Sequence, residues 1–211
     1  MRIVAATGNP GKLAELNALS PRGWEVVAQS EFDCGGAQET AVTFVENALI
    51  KARHACAHTG LPAIADDSGL EVDALRGAPG VRSARYAGDA ATAADNISKL
   101  LAELAAVGAV APAARAARFR CVVVFMRHAA DPAPRISCGV WEGRIADAPA
   151  GDRGFGYDPV FLSDARGKTA AQLEAAEKNR LSHRGQALRD LSDMLRNEST
   201  HPLSPSCNST S

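Results

Sequence analysis

The fold is decided at the start of the chain, by the segment Arg2-Ile3-Val4-Ala5-Ala6-Thr7-Gly8-Asn9-Pro10-Gly11-Lys12. Apart from Arg2, its first six residues are small, apolar or β-branched, and they predict a short buried strand. The glycines and the proline that follow predict a tight loop. From Lys12 onward, leucines recur at the helical spacing of positions 13, 16 and 19. The chain therefore begins as a strand, a loop and a helix.

The rest of the pattern predicts an α/β fold with a mixed sheet. Further strands are predicted at 24–28, 62–65, 70–72, 119–126, 136–145 and 160–162, and helices at 43–59, 92–107, 169–178 and 184–196. Residues 110–117 are alanine-rich with one proline, and we expect a loop that tolerates insertions there. We predict one domain over residues 1–196. Residues 197–211 are mostly Ser, Thr, Asn and Pro, and predict a disordered tail.

The composition argues against several classes of protein. Lys and Arg number 23 against 24 Asp and Glu, so the near-neutral chain is not expected to bind nucleic acid through its phosphates. No apolar run is long enough for a signal peptide or a membrane span, so a cytoplasmic protein is expected. The five cysteines form no C-x-x-C pair, which favours buried, reduced thiols over a zinc ribbon or redox motif.

The loop Thr7-Gly8-Asn9-Pro10-Gly11-Lys12 is the first candidate site. Glycines between a strand and a helix let backbone N–H groups approach phosphate oxygens at the helix N-terminus, and Lys12 adds a positive charge. It is not a Walker A loop, because its glycines are too close together and Leu13 follows the lysine. The pattern is equally typical of a tight turn that binds nothing.

A pair of carboxylates in Asp66-Asp67-Ser68-Gly69 is the second candidate site. The pair follows the apolar run at 62–65, so we expect it at the carboxyl end of a strand, where open α/β sheets place ligands. Successive strand side chains point to opposite faces, so one aspartate faces the cleft, and parity allows either. Oxygen ligands suit Mg²⁺, and Glu39 in the loop before helix 43–59 is a further candidate. The alternative is an Asx-turn that an aspartate merely caps.

Two segments in the C-terminal half carry candidate base and phosphate contacts. In Gly154-Phe155-Gly156-Tyr157-Asp158-Pro159, an aromatic between glycines predicts a stacking platform for a base. Lys178 and Ser182-His183-Arg184 place further contacts near one corner between helices, and the arginine can bind in a bidentate manner. The alternatives are a glycine-rich hairpin with aromatics packed on the core, and a solvated helix end.

Two other patterns do not predict a site. His54 and His58 have the i, i+4 spacing of a metal pair, but the glutamate of H-E-x-x-H is absent and no third ligand is evident. Ser68 lies outside any G-x-S-x-G elbow, so a serine hydrolase is not predicted.

In this order and spacing, the motifs resemble the inosine triphosphate pyrophosphatase family, over about residues 2–196. The matching segments are Thr7-Gly8-Asn9 with Lys12, Glu39-Thr40, 44–51, 65–70, Ala78-Pro79-Gly80, Ser83-Ala84-Arg85-Tyr86, 154–159, Gly167-Lys168-Thr169, Glu177-Lys178 and 182–187. The resemblance implies an elongated α/β fold with two lobes flanking a substrate cleft, usually in a homodimer. It also implies Mg²⁺-dependent hydrolysis of ITP, dITP or XTP to the monophosphate and pyrophosphate, which removes these nucleotides from the pool.

The resemblance also assigns roles to individual residues. Asp67 would be the catalytic general base and a metal ligand, with Glu39 as the second ligand. Substrate contacts would come from Thr7, Gly8, Asn9, Pro10, Gly11, Lys12, Ser68, Phe155, Gly156, Tyr157, Asp158, Lys178, His183 and Arg184. A donor such as His183 facing O6 of hypoxanthine or xanthine would oppose the N6 amino group of adenine, which explains selectivity.

Two rival functions stay open from the sequence. One is a nucleotide sensor that keeps the pocket without turnover, and the presence of both Asp67 and Glu39 weighs against it. The other is a pyrophosphatase for standard or methylated pyrimidine nucleotides, and the segment Ser182-His183-Arg184 weighs against that. A role in binding nucleic acid is the least favoured, because the chain is not basic.

Overall fold

The centre of the fold is a mixed β-sheet, seen in a computed structural model that describes residues 1–20, 23–164 and 166–200. Its strands are β1 (Arg2–Ala5), β2 (Glu25–Ala28), β3 (Ala63–Val72), β4 (Ala116–Met126), β5 (Arg135–Ile145), β6 (Phe161–Ser163) and β7 (Lys168–Thr169). Across the described residues they lie in the order β2-β1-β3-β4-β5-β6-β7. β1 pairs in parallel with β2 and β3, and the other neighbours pair antiparallel. The predicted mixed-sheet α/β class is confirmed.

Five α-helices in the described chain cover the sheet. They are α1 (Pro10–Leu19), α2 (Phe44–Thr59), α3 (Ala93–Ala106), α4 (Ala175–Leu181) and α5 (His183–Thr200). Alanines of α2 pack on one face of β1, β3 and β4, while α1 and α5 bury leucines against the opposite face. Leucines of α3 join an aromatic cluster at the far end of β3, β4 and β5. Each face of β3 is therefore covered by different helices.

The strand β3 differs from the prediction. Two fragments with a turn between them were expected, whereas β3 is continuous and pairs with β4 from Ala63 to Val72. Asp66 and Asp67 lie opposite Val123 and Val122 in this ladder, so they sit in mid-strand and not at a strand end or in an Asx-turn. A strand tolerates two buried carboxylates here because cations from other elements reach both of them.

The end of the segment 110–117 belongs to the core, whereas residues 110–114 are exposed, as expected of a loop. Its short 3₁₀ helix, Pro112–Arg115, buries Arg115. The guanidinium donates to three backbone carbonyls, at Ala109, Ile145 and Ala146. Ala117 is fully buried within β4. These bonds fix the segment against the end of β5, which composition alone does not reveal.

The predicted boundaries near the C-terminus also change. In place of one helix over 169–178, β7 is followed by a 3₁₀ turn, Ala170–Gln172, and by α4. The break follows from Leu173, which is extended at ψ 148°, and from Thr169, whose N–H donates to the Gln172 side chain. Helix α5 reaches Thr200, so the first four residues of the predicted tail are helical. Residues 201–211 lie outside the described residues.

Two further expectations concern membranes and thiols. No helix of the described chain is both long and apolar enough to cross a bilayer. Cys34, Cys56 and Cys121 are buried free thiols, as expected, whereas Cys138 on β5 is exposed. Cys207 lies outside the described residues.

Candidate active site

A cavity of about 520 Å³ lies over the middle of β3 and collects most of the predicted site residues. Those that line it are Thr7, Gly8, Asn9, Lys12, Glu39, Asp67, Ser68, Phe155, Gly156, Tyr157, Asp158, Lys178, His183 and Arg184. Pro10 and Gly11 do not line it. Residues up to 177 positions apart in the chain therefore meet in one place, and four separate motifs share one site.

The loop after β1 is held by its own side chains. The Thr7 hydroxyl accepts a hydrogen bond from the Asn9 N–H at 3.1 Å, and the Asn9 side chain caps α1 by accepting from the Lys12 N–H at 3.1 Å. Pro10 occupies the first turn of the helix, where its missing N–H costs nothing. The loop thus presents the start of α1, with Lys12, to the cavity.

Asp66 faces α1 and α5, and cations from both helices pair with its carboxylate. Its Oδ2 accepts from Arg184 Nη2 at 3.0 Å and lies 3.1 Å from Lys12 Nζ. The Ser68 hydroxyl, on the same face, donates to Asp66 at 3.2 Å and accepts from Arg184 at 2.9 Å. Burial alone would raise the pKa of Asp66, but Lys12 and Arg184 outweigh it and hold that pKa far below its ordinary value. These two cations therefore favour the ionised form of Asp66.

Asp67 faces α2, and its pKa is shifted in the opposite direction from that of Asp66. Lys51 Nζ lies 2.9 Å from Asp67 Oδ1, and the Asn47 amide donates to Oδ2 at 3.2 Å. Burial raises the pKa of Asp67, and Lys51 offsets this only in part. The same Lys51 Nζ lies 3.0 Å from Glu39 Oε1, so one ammonium joins both carboxylates. Asp67 is thus the more basic of the two aspartates.

Phe155 stands over the cationic end of the cavity. Lys178 Nζ lies 4.8 Å and Arg184 Cζ 5.7 Å from the centre of its ring. A Cβ added at Gly11 would come within 2.5 Å of this ring, so the glycine lets Phe155 close against the start of α1. Gly11 therefore supports the position of the Phe155 ring and does not itself face the cavity.

Asp158 and Tyr157 are engaged within the protein. Asp158 is 3% exposed, lies 2.7 Å from Lys178 Nζ and accepts from the Phe155 N–H at 2.8 Å. The Tyr157 hydroxyl donates to the Ser83 carbonyl at 3.0 Å. Both side chains border the cavity, but their polar atoms position the loop that carries Phe155.

His183 begins α5 and stacks on Phe119, with ring centres 4.8 Å apart and planes inclined by 16°. Burial lowers its pKa well below 6.5, and the nearby Arg184 and Lys178 lower it further. The imidazole is therefore neutral at physiological pH. Its Nδ1 has no hydrogen-bond partner among the described residues, while the ring borders the cavity.

Three residues of the site were missed from the sequence. Asn47 and Lys51 lie one turn apart on α2 among buried alanines, and a polar pair on an apolar helix face was the signal for them. Glu15 of α1 gave no such signal. It lies 2.9 Å from Lys178 Nζ and also contacts Arg184 Nη1, so it joins two cations that come from distant helices.

Three other titratable side chains, Glu46, His54 and His58, are exposed on α2. Glu46 caps α2 at the surface by accepting from the Thr43 hydroxyl at 2.5 Å. His54 and His58 are exposed, and His54 lies 3.0 Å from the Gly35 carbonyl. The described residues contain no group of three or more His, Cys, Asp or Glu side chains that could hold a metal ion together.

Comparison with known proteins gives consistent matches along the chain. Residues 3–194 match the model of the Ham1 family. The dITP/XTP pyrophosphatase of Yersinia pseudotuberculosis is 57% identical over 196 residues, which cover 92% of this chain and 98% of that protein. The dITP/XTP pyrophosphatase of Escherichia coli O157:H7 is 55% identical over 197 residues, covering 93% and 98%.

Solved structures agree with this match. A HAM1 protein from Coxiella burnetii superposes with a TM-score of 0.85 at 50% identity, covering 93% of this chain and 99% of that chain. The Ham1 protein of Staphylococcus aureus gives a TM-score of 0.81 at 39% identity, covering 94% and 100%.

Proposed function

Because the chain belongs to the Ham1 family, we propose that it hydrolyses the non-standard purine nucleoside triphosphates ITP, dITP and XTP to the monophosphate and pyrophosphate. It is a nucleoside triphosphate pyrophosphatase that removes these nucleotides from the pool. One observation carries the assignment to this cavity. Asp67 lines the cavity, and burial raises the pKa of its carboxyl group. The adjacent Asp66 does not line it, and Lys12 and Arg184 lower its pKa.

Asp67 is the proposed general base. Hydrolysis of the bond between the α- and β-phosphates needs a group that takes a proton from the attacking water. The raised pKa of Asp67 makes its carboxylate a stronger proton acceptor than an exposed aspartate. Asn47 and Lys51 hold one oxygen each, so the carboxylate is fixed in orientation. Asp66 is the weaker proton acceptor, since Lys12 and Arg184 pair with its Oδ2 and lower its pKa.

Basic side chains and the loop after β1 are proposed to bind the phosphates. The loop residues Thr7, Gly8 and Asn9 and the ammonium of Lys12 border the cavity at the start of α1, where N–H groups and positive charge favour anions. Pro10 and Gly11 shape this helix start without facing the cavity. The cations Lys12, Lys51, Lys178 and Arg184 each lie within 3.1 Å of a carboxylate, so a triphosphate needs further positive charge.

The residues present fit a divalent cation, and we propose Mg²⁺ on Asp67 and Glu39. Their oxygens converge on one buried cation, the Lys51 ammonium, at 2.9 and 3.0 Å. Mg²⁺ prefers one or two protein carboxylates and fills its other positions with water and phosphate oxygens. When bound, the metal neutralises phosphate charge and favours attack on phosphorus.

The base is proposed to lie against Phe155, between His183 and Arg184. A neutral His183 can donate from one ring nitrogen to O6 of hypoxanthine or xanthine, while adenine presents an N6 amino donor at that position. An unpaired buried donor costs about 1–3 kcal/mol, or roughly tens of fold in discrimination. Ser68 and Gly156 border the same region, and Tyr157 and Asp158 act by holding the Phe155 loop.

Pyrophosphate release from ITP, XTP, dITP, ATP and GTP, with Mg²⁺ and with chelator, tests the proposal. We expect metal-dependent turnover of ITP, dITP and XTP far above that of ATP, with pyrophosphate and no orthophosphate as product. Tight ITP binding without turnover would instead establish the sensor. A preference for pyrimidine or standard nucleotides would mean that the base pocket is misassigned. A homodimer remains a prediction from the family resemblance, and a cytoplasmic location remains a prediction from the sequence pattern.

A further inference from the structure

Lys51 occupies the point on which the two proposed metal ligands converge. It is 9% exposed, and its ammonium lies 2.9 Å from Asp67 Oδ1 and 3.0 Å from Glu39 Oε1. The Glu39 carboxylate has one more cation near it, Arg85 at 3.7 Å. Without Lys51, Asp67 would keep, among the described residues, the Asn47 amide as its one hydrogen-bond partner on this face of β3. The lysine therefore serves as the counter-cation of this carboxylate pair.

An ammonium and a divalent ion cannot share these two oxygens. Mg²⁺ binds carboxylate oxygens at about 2.0–2.1 Å, which would bring it into contact with an ammonium hydrogen-bonded to the same atoms. Two cations at such a distance in a part-buried site repel each other strongly. Metal binding at Asp67 and Glu39 therefore requires that Lys51 leave at least one of them.

The cavity gives the displaced ammonium somewhere to go. Lys51 itself lines the cavity, together with the loop residues Thr7, Gly8 and Asn9 that are proposed to bind phosphate. A lysine side chain has four rotatable methylenes, so its ammonium can move by several ångströms while the helix stays fixed. A bound triphosphate offers it new oxygen partners in exchange for the carboxylate that it gives up.

We infer that Lys51 is a resident counter-cation that competes with the metal and moves to the phosphates when nucleotide binds. This inference rests on the proposed function of the same site. In the free enzyme, Lys51 keeps two carboxylates together without a metal and weakens metal binding. In the complex, phosphate draws the ammonium away, so nucleotide and divalent cation bind cooperatively. Lys51 thus acts as a positioning residue that couples the two ligands.

The test measures binding of Mn²⁺ alone, without nucleotide, by the electron paramagnetic resonance signal of the free ion. Removing the competing charge in Lys51→Met is expected to tighten Mn²⁺ binding by about tenfold or more. Lys12→Met is the matched control, because it removes the same charge from Asp66 on the other face of β3. It should tighten binding by about threefold or less, through weaker long-range repulsion.

Adding Glu39→Gln to Lys51→Met should cancel the gain, because one of the two oxygens is lost. A folded Lys51→Met variant with unchanged Mn²⁺ affinity, or an equal gain in Lys12→Met, overturns the inference. Since no nucleotide is present, these results do not depend on whether ITP is the substrate. If the unaltered enzyme did not hydrolyse ITP, that result would overturn the proposed function and leave this inference standing.

A measurement on the unaltered protein covers the case in which Lys51→Met does not fold. The buried Lys51 ammonium can be followed by ¹⁵N NMR with the free enzyme as reference. Its signal should move when Mg²⁺ and α,β-imido-ITP bind together, because its partners change from carboxylates to phosphate. A Lys51 signal that keeps its free-enzyme position in this complex overturns the inference.

Discussion

Asp66 and Asp67 are neighbours on β3, yet they lie on opposite faces of the sheet and meet different cations. Asp66 is bound by Lys12 of α1 and Arg184 of α5, whereas Asp67 is bound by Asn47 and Lys51 of α2. The pKa of Asp66 is lowered and that of Asp67 is raised. One peptide bond therefore separates a structural anion from a candidate base, and the two can be tested separately.

Replacing Asp67 by Asn should abolish most turnover with little loss of stability. The amide keeps the shape of the side chain but cannot accept the proton of the attacking water, so kcat for ITP should fall about 10²- to 10⁴-fold. Glu39 still pairs with Lys51, so the ammonium keeps a carboxylate. Steady-state pyrophosphate release and urea unfolding measure the two effects.

The matched variant Asp66→Asn should mainly affect folding. It leaves the guanidinium of Arg184, which is 1% exposed, with one carboxylate fewer. Breaking a buried ion pair from one side costs about 3–5 kcal/mol, so the free energy of unfolding should fall by that order. If turnover vanished in Asp66→Asn with an intact fold, while Asp67→Asn stayed active, the assignment of the base would be reversed.

Local pattern was enough to predict part of this arrangement. The apolar run, glycine turn and leucine spacing predicted β1 and α1, and strand parity predicted that the two aspartates face opposite sides. The continuity of β3 was not predictable, because it depends on Arg184, which is 118 residues away from Asp66. A sequence window around two adjacent aspartates contains no information about such a partner.

Two buried cations, Arg115 and Lys51, explain further differences between the predicted and the observed structure. The sequence predicts a loop at Arg115. Two of its three carbonyl partners, Ile145 and Ala146, lie at the end of β5 and just beyond it, so the sequence around Arg115 does not reveal them. The burial of Lys51 is not predicted either, because a lysine on a helix is usually exposed. Its burial makes sense only with Glu39 and Asp67 in place, and that is a property of the assembled fold.

Glu15→Gln should weaken both stability and nucleotide binding. Glu15 contacts Lys178 and Arg184, which border the base end of the cavity, and its loss leaves both cations with one charged partner fewer. We expect about 1–3 kcal/mol less stability, because charged buried groups lose charge-assisted bonds. The KM for ITP should rise, and the preference for ITP over ATP should fall.

Glu177→Gln is the control for this change. Its carboxylate pairs with Arg166 at 2.8 Å, and both side chains are partly exposed to solvent, so the pair contributes about 1 kcal/mol or less. Equal effects of Glu15→Gln and Glu177→Gln on the ITP to ATP ratio would contradict a positioning role for Glu15.

The buried neutral His183 should make the protein less stable in mild acid. The pKa of His183 is lowered in the folded state, whereas the unfolded chain binds a proton near pH 6.5. Below that pH the unfolded state therefore holds more protons, and stability falls as pH decreases, by about 1.4 kcal/mol per unit until the folded pKa is reached.

Urea unfolding between about pH 5 and 7 measures this contribution by comparison with His183→Gln, which lacks the titrating group. The difference in slope between the two proteins should be close to one proton. A His183→Gln variant with the same slope would show that His183 is protonated in the folded state.

Gly11→Ala should impair nucleotide binding while leaving the fold intact. The added Cβ would come within 2.5 Å of the Phe155 ring, and the ring must move because it is the flexible partner of the contact. Gly11 lies in the first turn of α1, where alanine gains helix propensity, so stability should change by less than about 1 kcal/mol. A displaced ring gives a poorer surface for the base, and the KM for ITP should rise several-fold with a smaller change in kcat. Gly35→Ala is the control, because a Cβ there meets nothing within 4 Å and Gly35 does not line the cavity. If both variants raised KM alike, the rise would not come from the Phe155 ring, and its stacking role would be refuted.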